Sequence, residues 1–84
     1  MMYSINEIDA WKEGEGYTIN DVYKTGIKID IEPENTRQVF REIRRFYSLP
    51  IGRYTTNIKE SGEGNLFEIV DRHTYEPILQ LEKI

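Results

Sequence analysis

The sequence predicts a small α+β domain over residues 1–84, with one helix on one face of a mostly antiparallel sheet, in the order β-β-α-β-β-β. Three observations predict it. TRQVFREIRRFY (Thr36–Tyr47) carries its apolar residues at helical spacing. IKIDI (Ile27–Ile31), just before it, alternates apolar and polar residues with the period of a strand. Behind it, RYTTNIKE, LFEIVD and ILQLEK are β-branched or apolar runs separated by turn residues.

The N-terminal element is the least determined. Met1, Tyr3 and Ile5 alternate as in a strand, while Ser4 with Glu7 could form a capping box and Ile5, Ile8 and Trp11 share a helical face. A β-rich small domain needs partners for its sheet, which favours a strand through about Ile8. Residues 10–26, AWKEGEGYTINDVYKTG, read as a long loop or irregular hairpin holding Gly14, Gly16 and Gly26. IKIDI follows as a strand with Ile27, Ile29 and Ile31 inward.

In the helix, Val39, Phe40, Ile43, Phe46 and Tyr47 occupy an arc of about 120° at 100° per residue. Asn35 is the expected N-cap, with Gln38 in the capping-box position three residues on. Pro50 biases Leu49 away from helical geometry, so the helix should stop near Ser48. The last three strands should form an antiparallel meander, with the glycine-rich SGEGN as the first turn and DRHTYEP as the second. Ile29, Ile31, Phe67, Ile69 and Leu79 are the expected core partners of the helix. The sheet is expected to leave an open edge.

Eighty-four residues bury only roughly 60–65% of the unfolded surface, which limits the chain to one modest core and makes a deep active site improbable. There is no cysteine, so disulfides, thiolate nucleophiles and cysteine-held zinc are excluded. The first residues, MMYSINEIDA, meet an acid by Glu7 and contain no long apolar run, and no segment reaches the ~18–20 apolar residues of a membrane span. The expectation is a cytoplasmic protein with no membrane contact.

Charge is segregated. The net charge is −4, yet residues 36–53 hold five arginines against one glutamate. Four of them, Arg37, Arg41, Arg44 and Arg45, fall in a helical sector of about 100° opposite the apolar arc. They are either a solvated face or a contact surface for phosphates or an acidic protein. The acidic balance of the whole chain weakens long-range steering to nucleic acid. Nor is there a helix-turn-helix pair or the aromatic signature of an RNA-recognition sheet. Trp11, Tyr17 and Tyr23 lie among Glu13, Glu15 and Asp21, where aromatics either anchor an interface or cap a small core.

Catalytic chemistry is sparse. His73 is the single histidine and stands in a turn beside Arg72; Ser4, Ser48 and Ser61 have no evident base. Glu13, Glu15, Asp21 and Glu63 match no calcium-loop spacing. The chain is therefore expected not to be an enzyme and to need no metal or cofactor.

INEIDAWKEGEGYTINDVYKTG, with Asn35-Thr36-Arg37 ahead of the helix and Thr74-Tyr75-Glu76-Pro77 near the end, resembles short reading frames of bacteriophages and mobile elements, mainly of Gram-positive hosts. The resemblance implies a small accessory protein in a bacterial cytoplasm and carries over no functional residue. The expected function is a non-enzymatic module that binds another protein, or a second copy of itself. The alternative is nucleic-acid binding through Arg37, Arg41, Arg44, Arg45 and Arg53.

Overall fold

The protein is described from a computed structural model. It covers residues 1–13, 17–58 and 65–84, with the backbone alone for residues 10–13 and 17–19. The elements run β1 (Met2–Glu13), β2 (Tyr17–Asp30), α1 (Thr36–Ile43), β3 (Tyr54–Ile58), β4 (Leu66–Asp71) and β5 (Pro77–Lys83). The five strands form one sheet of spatial order β2-β1-β5-β4-β3, with every neighbouring pair antiparallel. The chain is thus an α+β fold with the predicted order of elements, and β3-β4-β5 is the predicted meander. The central position of β5 pairs the two ends of the chain, Tyr3 opposite Lys83.

Helix α1 lies on one face. Val39, Phe40 and Ile43 are buried against Tyr3 and Ile5 of β1, Ile29 and Ile31 at the end of β2, Phe67 and Ile69 of β4, and Leu79 and Leu81 of β5. All five predicted core partners are among them. Tyr3 meets Phe67 edge-on, ring centroids 5.4 Å apart, a favoured aromatic geometry. Asn35 caps the helix, its Oδ1 accepting from the Gln38 N–H at 3.1 Å. Gln38 does not close the box on Asn35; its Oε1 accepts from the Glu32 N–H at 2.7 Å and ties the helix to the end of β2.

The helix is shorter than its periodicity suggests. After Ile43 the bonding tightens: Arg45 N–H donates to Glu42 O and Phe46 N–H to Ile43 O. Phe46, at the edge of the apolar arc, is half exposed, whereas Tyr47 still packs on the core.

Of the two readings of residues 10–26, the irregular hairpin holds and the long loop does not: β1 runs past Ile8 to Glu13 and β2 starts at Tyr17, paired from Met2 opposite Asp30 to Glu13 opposite Tyr17. The aromatic and β-branched residues of YTINDVYK have the side chains of a strand, and the many acids and glycines around them obscured that. Gly14, Glu15, Gly16 and most of the SGEGN turn lie outside the described residues. Gly26 marks an irregularity within β2. Ser4 faces Lys28 but Asn6 faces Lys24, so β2 carries two extra residues here, and Gly26 takes φ +79°. Thr25 secures this bulge, donating from Oγ1 to the Ile5 carbonyl at 2.6 Å and accepting from the Ile27 N–H at 3.1 Å.

Strand β1 pairs with β5 only from Tyr3 to Glu7. From Ile8 onward, β1 and β2 continue as a two-stranded arm. Twelve residues at about 3.4 Å each span roughly 40 Å, matching the 40 Å long dimension of the molecule.

A candidate binding groove between helix and sheet edge

Position around the helix axis divides the arginines. Going round from Val39 at about 100° per residue, Phe40 comes first, then Arg44 and Arg37, then Arg41 and Arg45, and last Glu42. Arg37 and Arg44 therefore flank Phe40 on the side facing β3, and Arg41 and Arg45 turn toward Glu42. Arg45 Nη1 lies 3.2 Å from Glu42 Oε2, and Arg41 Nε 3.9 Å from Glu42 Oε1.

On the β3 side is a groove of about 270 Å³ lined by Thr36, Arg37, Phe40, Arg44, Ile51, Gly52, Tyr54 and Arg72. Among the described residues, no carboxylate lines it. The Arg44 guanidinium stands 5.4 Å from the Phe40 ring centroid, and its Nε donates to the Leu49 carbonyl at 3.4 Å. Beyond Arg44 the surface continues into a shallow depression of about 440 Å³ bordered by Tyr47, Ser48, Leu49 and Pro50.

Arg72 reaches the groove because Asp71 organises the β4–β5 turn. Asp71 Oδ1 accepts from the N–H groups of His73 (2.8 Å) and Thr74 (3.1 Å), and Tyr75 sits at φ +59°. Arg53 Nε donates to Asp71 Oδ2 at 3.4 Å, and the Arg72 N–H donates to the Arg53 carbonyl at 2.9 Å, locking this turn to the segment before β3. The backbone donors of His73 and Thr74, then Arg53, hold the Asp71 carboxyl below the usual carboxylate range. The Arg53 guanidinium also lies 5.6 Å from the Tyr54 ring centroid.

The residues singled out from sequence thus separate. Arg37 and Arg44 share the groove; Arg41 and Arg45 do not join it. Tyr23, 54% exposed, stands on β2 at the opposite edge of the sheet. The side chains of Trp11 and Tyr17 lie outside the described residues, as do those of Glu13, Glu15 and Glu63. Arg72, Ile51 and Tyr54 belong to the groove but lack a local signal in the sequence, because each is brought there by a different segment. His73 is exposed, and it is its backbone N–H that serves Asp71.

At the base of the arm, the Tyr47 hydroxyl is buried with no hydrogen bond of regular geometry. Burial first, and then the nearby Glu7 charge, push its ionisation up. Among the described residues, no group of three or more His, Asp or Glu side chains is placed to hold a metal ion, and no helix is long and apolar enough to cross a membrane.

These features define a class: a small α+β domain, one helix on a five-stranded antiparallel sheet, with a cationic groove at one sheet edge. Comparison with protein-family models, curated proteins and solved structures found no match for the chain.

Proposed function

We propose that this protein is a non-enzymatic binding module whose contact surface is the arginine groove and whose partner is an acidic protein surface. One observation carries the reading: Arg37, Arg44 and Arg72, from two ends of a helix and a distant turn, converge on a single groove whose described lining residues include no carboxylate. Such clustering costs self-repulsion that an acidic partner relieves. Phe40, Tyr54 and Ile51 add apolar surface, and arginine with aromatics is the composition of interface anchors. The setting we propose, from the resemblance, is a bacterial cytoplasm, where an accessory protein of this kind acts by binding a host or phage component.

The same groove supports nucleic-acid binding as a second reading, since arginines beside a partly exposed tyrosine, Tyr54, also suit a single strand. Fluorescence anisotropy separates the two, with a labelled Glu/Tyr-rich peptide and a labelled single-stranded oligonucleotide as probes. The peptide should bind, and Arg37→Gln/Arg44→Gln/Arg72→Gln should weaken it, whereas Arg41→Gln/Arg45→Gln should not. Tighter binding of the oligonucleotide, with a salt slope that falls by about one per arginine removed, establishes the second reading instead. If neither probe binds, the arginines are a solvated face.

A further inference from the structure

We infer that the groove's occupant is the acidic arm of a second copy of this chain, in a reciprocal dimer; the inference rests on the groove being a protein-binding surface. The arm carries the opposite charge. Residues 7–24 contain five acids against two lysines. Glu7 and Asp9 alternate along β1 and are exposed, and their cross-strand neighbours are Tyr23 and Asp21. The proximity of Glu7 to the Tyr47 hydroxyl places it on the helix side of the sheet, and alternation puts Asp9 on that side too. Asp21, the cross-strand neighbour of Asp9, adds a third acid on the same side. Tyr23, opposite Glu7, is on the same side and 54% exposed.

Position makes the contact reciprocal. Glu7 pairs with Leu79, Leu79 with Ile69 and Ile69 with Thr56, so the arm leaves the sheet at the end where β3 begins and β4 turns into β5. Tyr54 and Arg72 of the groove are at that same end. Arm and groove share the helix side but stand at opposite edges of the sheet. A twofold axis along the strands, with the helix sides of two copies facing, exchanges the two edges. Each arm then lies over the other copy's groove, and one operation satisfies both contacts, as a closed isologous dimer requires.

Sedimentation equilibrium on the full chain tests this. The parent should reach twice its 10.0 kDa mass at an ionic strength of about 0.01 M and dissociate toward monomer at about 1 M, as the Debye length falls from about 30 Å to about 3 Å. Arg37→Glu/Arg44→Glu and Glu7→Lys/Asp9→Lys should each be monomeric alone, because each sets like charges against one another. Mixed together they should form a 1:1 heterodimer, since the basic arm now meets an acidic groove and the unchanged acidic arm meets the unchanged basic groove. A parent that stays monomeric at millimolar concentration and low salt overturns the dimer. Peptide binding by that monomer would leave the groove as a site for another protein. A parent dimer with both variants still dimeric also overturns the arm–groove contact, whatever the peptide does. If a variant melts far below the parent, the milder Arg44→Gln and Asp9→Asn forms take its place, and each should weaken the parent dimer severalfold.

Discussion

Asp71 is a residue whose local role reaches the groove. It accepts two backbone N–H groups and a guanidinium N–H, and the turn it closes presents Arg72. Its carboxyl is held below the usual range, so the native state binds the proton less readily than the unfolded chain. The resulting stability is present above the unfolded value of about 4 and is lost as pH falls through the lowered native value. Asp71→Asn should therefore be less stable than the parent at pH 7, and the difference should vanish in strong acid. Denaturant melts across pH 7 to pH 2 measure it, and a gap unchanged at the acid end contradicts the assignment. A second residue-scale device is the Asn6–Gln80 pair across β1 and β5. Asn6 is 3% exposed and donates from Nδ2 to Gln80 Oε1 at 3.0 Å. Gln80→Ala leaves that buried amide unsatisfied, at an expected cost of about 1–3 kcal/mol. Asn6→Leu/Gln80→Leu should cost less than the sum of the two single leucine changes, because neither partner is then stranded.

At the scale of elements, α1 has two faces of different energetic weight. Ile43 is fully buried, and Ile43→Ala should cost about 2–5 kcal/mol. Arg41→Gln/Arg44→Gln should cost far less. Arg41 makes only an exposed ion pair, of about 0–1 kcal/mol, and the Arg44 stack on Phe40 is an exposed cation–π contact of about 0.5–1 kcal/mol. Thermal melts of both variants beside the parent make the comparison, and equal losses would mean the arginines are structural. The β2 bulge is the other sensitive element. A Cβ at Gly26 meets nothing within 4 Å, yet φ +79° is left-handed backbone. Gly26→Ala should cost about 1–2 kcal/mol from conformation alone, read by chemical denaturation. A neutral result would show that the bulge relaxes.

For the whole molecule, topology sets the kinetics. The sheet is complete only when β5 enters between β1 and β4, which joins Tyr3 to Lys83. Such non-local pairing must be reached before it is stabilised, and chains dominated by it fold in milliseconds to seconds. Stopped-flow refolding should resolve the main phase. Folding complete within about 0.1 ms would contradict the pairing of the two chain ends as a late requirement.

Patterns inside one element were legible from the residues. The i, i+4 stripe of Val39, Phe40 and Ile43 predicts the helix face, alternation in IKIDI predicts its inward side chains, and the apolar run LFEIVD supplies Phe67 and Ile69. Asn35 announces the cap. These follow from short-range geometry, in which a side chain's direction depends on its place in a 3.6- or 2-residue period. The β3-β4-β5 meander was legible from its turns, but the insertion of β5 beside β1 was not, because it is settled by which strands bury their faces together across the whole chain. The arm was legible only as one of two readings, a long loop or an irregular hairpin, and pairing of YTINDVYK with β1 decides for the hairpin. Above all, the sequence groups four arginines on one helix, and the tertiary structure divides them. Arg41 and Arg45 turn to Glu42, while Arg37 and Arg44 meet Arg72 and Tyr54. That meeting depends on where β3 and the β4–β5 turn dock beside the helix, and docking is a matter of packing between distant segments that no local period encodes.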